Sequence, residues 1–302
     1  FPGKNTPILE IVDFLNARAR ENQWGFVDFN RPMVAINQWE QAEDSMYTLC
    51  GKDRIHPSTD GHLVMAYLFL KAQGLAGKPV ADIRIDGAGK KVTRSDNCRV
   101  SDLSVSSDNL TFTYEAKSLP YPIDTSYYDN EKHTQADALS VIPFMDEMNY
   151  EGLSVSGLSD GYYGLTIGGE FIGRFTAREL ERGINMALLQ NTPQYKQAMK
   201  IRQMNEERWL KERKMREFYW VEYNLMRKTG MLWACNEAAV DTLRKYRPHD
   251  IFLQWNGDLW LQYMHKGIRE DCVNEQQDLV NRIYEQNKPI PLRIEIKKFT
   301  DL

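Results

Sequence analysis

Asp53-Arg54-Ile55-His56-Pro57-Ser58-Thr59-Asp60-Gly61-His62 is the stretch on which the reading of this chain turns. An acid stands three residues before a histidine, a proline follows the histidine, and an apolar run, Val64-Met65-Ala66-Tyr67-Leu68-Phe69-Leu70, begins soon after. Pro57 disfavours helical backbone at His56, so Asp53 to Pro57 reads as a turn that delivers the chain into a buried helix. In such a turn, residues three apart fold back to hydrogen-bonding distance. A neutral imidazole titrates near working pH and accepts a proton from a weak nucleophile. A carboxylate beside it fixes the tautomer and stabilises the imidazolium. Asp53 and His56 are therefore the candidate catalytic residues, His56 as general base and Asp53 as its orienting partner. The bland alternative is a surface loop with a chance acid and histidine.

Upstream, Ile8 to Arg20 reads as a helix, Trp24 to Asp28 as a short strand and Pro32 to Met46 as a second helix. Together with Asp53-x-x-His56-Pro57-x-x-x-Gly61-His62, this order resembles the end of the catalytic domain of SGNH (GDSL-type) serine hydrolases. The resemblance covers about residues 1 to 76. It implies the C-terminal portion of a flavodoxin-like α/β domain, and a Ser-His-Asp mechanism in which His56 and Asp53 serve a nucleophilic serine. The family's serine sits in a Gly-Asp-Ser motif, and no Gly-Asp-Ser occurs in the 302 residues. The sequence opens on Phe1-Pro2-Gly3, not Met. The expectation is that the front of the catalytic domain, with the serine and the oxyanion-hole glycine and asparagine, lies outside this chain.

Beyond Gly74 and Gly77-Lys78-Pro79, which read as a boundary, the period changes to two. Val80 to Asp86 alternates, and Gly87-Ala88-Gly89 turns. Val100 to Val105 and Leu110 to Tyr114 read as a hairpin. Leu153 to Ser156 and Tyr163 to Ile167 read as another, around Ser159-Asp160-Gly161. Gly168-Gly169 makes a tight turn into Phe171 to Phe175. This is expected to be a small antiparallel β unit. Between the hairpins, Ser118 to Asn149 is long and irregular, carrying His133 and the aromatics Tyr121, Tyr127, Tyr128, Phe144 and Tyr150. Such stretches are often functional loops, although His133 by itself reads as an exposed loop residue. The segment from Ser118-Leu119-Pro120 through Leu153-x-Val155 to Gly183-Ile184-Asn185-x-Ala187 resembles accessory regions that follow SGNH domains in some bacterial enzymes.

Two motifs look catalytic and are not. Gly152-Leu153-Ser154-Val155-Ser156 imitates a nucleophile elbow but ends in Ser where Gly is required. Ser95-Asp96-Asn97 copies a β-lactamase triplet and reads as a turn. Asp28, Asn30, Arg31 and Asn37 are read as caps or solvated groups, with a possible supporting role near the site.

Thr192-Pro193 caps and opens a long helix running to about Lys228, with Gly230 as its stop. Met215, Phe218, Tyr219, Leu225 and Met226 share one face of it. A second helix covers about Asn236 to Tyr246 and a third about Leu259 to Glu285; Leu292 to Ile296 ends the chain as a strand. The expected divisions are 1–78, 79–190 and 191–302. Five of the seven tryptophans lie after position 200; tryptophans on helical periods usually belong to a core, with sugar stacking as the functional option.

A chain that is 42% hydrophobic and 26% charged has ample material for a core. A net charge of −4 exerts no general pull towards nucleic acid or anionic membrane, and no apolar run approaches the ~20 residues that span a bilayer. Cys50, Cys98, Cys235 and Cys272 lack metal-ligand spacing and read as buried free thiols. The reading calls for no cofactor and no metal. The expected function is a carboxylic ester hydrolase acting on a small-molecule or polysaccharide ester, with acyl groups on carbohydrate favoured, in a periplasmic or secreted setting. A non-catalytic glycan- or protein-binding module is the alternative.

Overall fold

The structure, a computed structural model, describes residues 5–126 and 133–299. Phe1-Pro2-Gly3, Tyr127 and Tyr128 lie outside the described residues. Two compact units are present: Phe1–Tyr195 together with Pro289–Leu302, and Lys196–Lys288. The final strand, expected with the helical region, belongs to the first unit.

The first unit begins with α1 (Asn5–Asn22), α2 (Asn30–Glu40) and α3 (Thr59–Ala72). Trp24 to Asp28 is not a strand. A strand needs a neighbour for its N–H and C=O groups, and none lies beside it among the described residues. The second helix stops at Glu40, earlier than expected, and turns lead on to the acid–histidine segment. Only an isolated bridge, Cys50 to Pro57, is found before residue 80, so no flavodoxin-like parallel sheet is formed by the described part of this region.

Strands β1 (Ala81–Asp86), β2 (Lys91–Asp96), β3 (Cys98–Val105) and β4 (Asn109–Ala116) follow. The stretch expected to be irregular contains a 3-10 turn at Gln135–Ser140 and a one-turn helix, α4 (Phe144–Glu147). Then come β5 (Glu151–Ser156), β6 (Tyr162–Ile167), β7 (Glu170–Thr176), α5 (Ala177–Arg182) and β8 (Ile184–Asn185). α6 covers Pro193–Val221, continuing as one wide turn over Glu222–Met226. α7 (Glu237–Tyr246), α8 (Ile251–Tyr263), α9 (Lys266–Gln286) and β9 (Leu292–Lys298) complete the order.

The strands form two sheets, ordered β2-β1-β5-β8 and β3-β4-β9-β6-β7. The pairing expected between β5 and β6 does not occur. β5 lies parallel to β1, Ile83 opposite Leu153, whereas β6 pairs with β7 and β9. The unit is therefore mixed rather than purely antiparallel. Ile83, Ile85, Leu153 and Val155 from one sheet share a single buried core with Phe112, Leu165, Ile294 and Ile296 from the other. Each strand of the β1–β5 pair is buried through its first three residues and alternates only after them, with Arg84 and Ser154 turned outward between buried Ile83 and Ile85 and between buried Leu153 and Val155.

A smaller core joins Leu49, Leu63, Val64 and Tyr67 to Ile123, Ile142, Phe144 and Met145. It carries α3, and hence the preceding turn, on Ile123 and on residues 138–145. The second unit has its own core: Met215, Phe218, Leu225 and Met226 meet Leu243, Leu253, Trp260 and Cys272. Tyr219, expected on the buried face, is 37% exposed. The helix expected over Leu259 to Glu285 is two helices, α8 and α9, broken around His265, whose backbone is extended (φ −76°, ψ 120°). Glu222 is buried here. Its Oε1 accepts the Trp260 indole N–H at 2.8 Å, and its Oε2 accepts the Trp233 backbone N–H at 2.8 Å.

Two outcomes follow from this packing. An added Cβ at Gly61 would lie 2.0 Å from the Leu49 carbonyl oxygen and 3.3 Å from Pro57 Cβ. Gly61→Ala is expected to lower stability by about 2 kcal/mol or more, as overpacking does, read as a lower midpoint in chemical denaturation. Burial pushes the Glu151 carboxyl from 4.5 up to about 7, against the hydrogen bonds that Tyr114 and Gln194 donate to it. A raised carboxyl stabilises the fold fully below about pH 4.5 and loses that contribution as pH climbs through about 7. The change is on the order of 3 kcal/mol. Glu151→Gln should flatten that slope in urea unfolding compared at pH 5 and pH 8.

Candidate active site

The turn is built from its backbone outward. Gly51 N–H donates to the His56 carbonyl at 2.8 Å, Ser58 N–H to the Leu49 carbonyl at 3.0 Å, and Arg54 N–H to the Gly51 carbonyl at 2.9 Å. Arg54 takes the left-handed conformation that closes the loop (φ 57°). Asp53 Oδ1 accepts the backbone N–H groups of Ile55 at 2.9 Å and His56 at 3.1 Å. This is the fold-back expected of an acid at the head of a turn. Its other oxygen, Oδ2, lies 2.6 Å from His56 Nδ1.

The two candidate catalytic side chains therefore meet. The His56 hydrogen bond, followed by those from the Ile55 and His56 amides, holds the Asp53 carboxyl down at about 2. It is an anion throughout the neutral range. In the neutral form of the ring, the anion beside Nδ1 favours the tautomer with the proton there, which leaves the Nε2 lone pair free. The His56 side chain is 84% exposed, so Nε2 is open to solvent. No side-chain hydroxyl among the described residues is hydrogen-bonded to this imidazole.

The next residues do a different job. Asp60, in the first turn of α3, is 1% exposed. Its Oδ1 accepts the Ser58 hydroxyl and, at 2.8 Å, the Gly61 N–H. His133 Nδ1 lies 3.1 Å from its Oδ2. His133, read from the sequence as an exposed loop residue, is thus partly buried, with Tyr47 edge-on to its ring at 5.9 Å. Nothing in the local sequence around His133 pointed to Asp60, because that contact is long-range. Ser58 is engaged with Asp60, not with a histidine, and forms no triad.

The other sequence candidates are structural. Asp28 accepts Arg31 N–H at 3.0 Å and Arg31 Nη1 at 2.7 Å; Asn30 donates to Asn5 Oδ1 at 2.9 Å. Asn37 Oδ1 accepts the Leu49 N–H at 2.9 Å and so braces the base of the turn. Ser154 and Ser156 lie on β5, and Ser95-Asp96 ends β2 with Asn97 as the turn residue (φ 52°). The four cysteines are free. Cys98 and Cys272 are buried and Cys50 partly so, but Cys235 is exposed, its Sγ 3.4 Å from His265 Nδ1. Among the described residues, no three His, Cys, Asp or Glu side chains gather as a metal site, and no helix is long and apolar enough to cross a membrane.

Residues 199–288 match the family model described as the diltiazem deacetylase C-terminal helical domain. That stretch falls within the second unit. No curated protein matches the chain. A solved structure described as a gut microbial diltiazem-metabolizing enzyme matches with a TM-score of 0.92 and 41% sequence identity. The alignment covers 99% of this chain and 67% of that one, so the likeness takes in both units, the acid–histidine turn included. The chain belongs to the family of that diltiazem-metabolizing enzyme.

Proposed function

We propose that this chain is part of an ester hydrolase of the Ser-His-Asp type, with Asp53 and His56 as its acid–base pair. One observation carries the reading: the 2.6 Å contact between Asp53 Oδ2 and His56 Nδ1, with Nε2 left open. The SGNH resemblance of the turn supports it. So does the family relative, described as metabolising diltiazem, and the helical region is one named for a deacetylase.

In this reading His56 Nε2 takes the proton from a serine hydroxyl as that oxygen bonds to the ester carbonyl carbon. The imidazolium, stabilised by Asp53, then protonates the departing alkoxide as the C–O bond breaks. Water repeats the route in reverse and frees the acid. No Gly-Asp-Ser occurs in the 302 residues, and in this reading neither the serine nor the donors that hold the oxyanion are assigned to a residue among them. The substrate class is an acetyl ester of a small molecule, suggested by the family model named for a deacetylase, with an acyl ester of carbohydrate as the alternative.

A second reading has its own observation. In the second unit Phe252, 49% exposed, packs against Trp220 at 5.2 Å and Trp255 at 5.5 Å, and Trp255 is 66% exposed. Exposed rings beside polar groups can stack on sugars, which would make this unit a glycan-binding module.

In the full-length protein, His56→Ala should lower kcat for p-nitrophenyl acetate by about 10³-fold or more, and Asp53→Asn by a similar order. Both should leave the thermal midpoint nearly unchanged, since the pair is exposed. A rate indifferent to His56→Ala would sink the assignment. Asp53 stays ionised down to about pH 2, so an acid limb between pH 4 and 8 must come from another group.

A further inference from the structure

The first unit holds a cavity of about 690 Å³ that the acid–histidine turn does not use. One wall is a face of α3, where His62, Ala66 and Leu70 line it at helical spacing. The linker after that helix and the segment carrying Leu119, Tyr121 and Phe144 supply the rest. The volume lies in the range of ~300–1,000 Å³ typical of small-molecule sites. Most of the lining is apolar, so an occupant must bring an apolar body.

The charges are one-sided. His62 and Lys78 both line the cavity and both are exposed. No Asp or Glu lines it among the described residues. Neither Lys78 nor His62 has an ion-pair partner among the described residues, in contrast to Lys71 nearby on α3, which is held by Glu147 at 2.9 Å. The polar group best placed to direct a ligand is then a cation. The Tyr121 hydroxyl accepts from Gln135 Nε2 at 2.8 Å, which leaves its own O–H as a neutral donor beside that cation.

We propose that this cleft is a binding site for an amphipathic monocarboxylate, its alkyl or aryl tail against Leu70, Leu119 and Phe144 and its carboxylate at Lys78 and His62. The tail is driven in by removal of apolar surface from water, and the head by a charge-assisted contact to an uncommitted cation. A neutral molecule of the same shape gains only the first, and a cationic one meets a like charge. This site is independent of the esterase reading. The variants below leave Asp53 and His56 untouched, so each reading can fail without the other.

The test is calorimetric titration of the protein with sodium octanoate and, separately, with 1-octanol. Octanoate is expected to bind saturably at one site with Kd on the order of 0.1–1 mM. Lys78→Gln should weaken octanoate about fivefold and leave octanol unchanged. Ala66→Trp, at an exposed helical position, should fill the cleft and abolish binding of both ligands. Ser118→Phe, on a different segment of the lining, should do the same if the tryptophan variant fails to fold. Octanol binding as tightly as octanoate would overturn the carboxylate assignment. Titrations of both blocked variants matching the parent would overturn the cleft.

Discussion

The candidate site depends on a close approach of backbone to backbone. The carbonyl of Leu49 receives the Ser58 N–H and lies where a side chain at residue 61 would have to be. Because residue 61 is glycine, the first turn of α3 can press against the base of the loop. Leu49 itself is fully buried, its N–H bound by Asn37. That fixed base lets Asp53 fold back on His56 from a turn whose own tip is in water. The opposite end of the same helix is clamped by Tyr67 and Lys71 on Glu147. The turn thus inherits its rigidity from a helix locked at both ends.

Much of this was legible in residues 53 to 70, because the information is local. A proline after the histidine, an acid at the head of a turn and an apolar helical period each act within a few residues. The hairpin of β3 and β4, the glycine turn before β7 and the Thr192-Pro193 helix start were legible for the same reason. What failed was choice of partner. β5 and β6 are both apolar strands close in sequence. Yet the parallel register of β5 on β1 buries Leu153 and Val155, while β6 is claimed by β9 from the far end of the chain. β2 was missed because its residues are largely exposed and polar, so no period-two pattern marks it. Trp24 to Asp28 has strand-like residues but no neighbour to pair with among the described residues.

Long-range polar pairs were also out of reach. His133 meets Asp60 across more than seventy positions, and Glu222 collects Trp233 and Trp260 where α6 widens into its last turn. Buried carboxylates of this kind are tolerable only when hydrogen-bonded. Glu222 has both oxygens engaged, and the fold around it is arranged to supply the donors. Glu151 is the harder case: Tyr114 and Gln194 reach it but no cation among the described residues does, and burial prevails over both hydrogen bonds. A sequence pattern cannot distinguish such a residue from an exposed acid on an alternating strand.

The exposure of the Asp53–His56 pair is itself an argument about its purpose. Ion pairs in water contribute about 0–1 kcal/mol, and much of that is offset by the entropy of holding the side chains. Here five groups are committed to one orientation: both Asp53 oxygens, two backbone amides and one ring nitrogen of a histidine 84% exposed. Stability would be served as well by a capped turn without the imidazole. What the arrangement does achieve is a single tautomer with its free nitrogen facing outward beside a carboxylate that stays charged at any physiological pH. A fold gains little from that, whereas proton transfer to and from an approaching hydroxyl requires it.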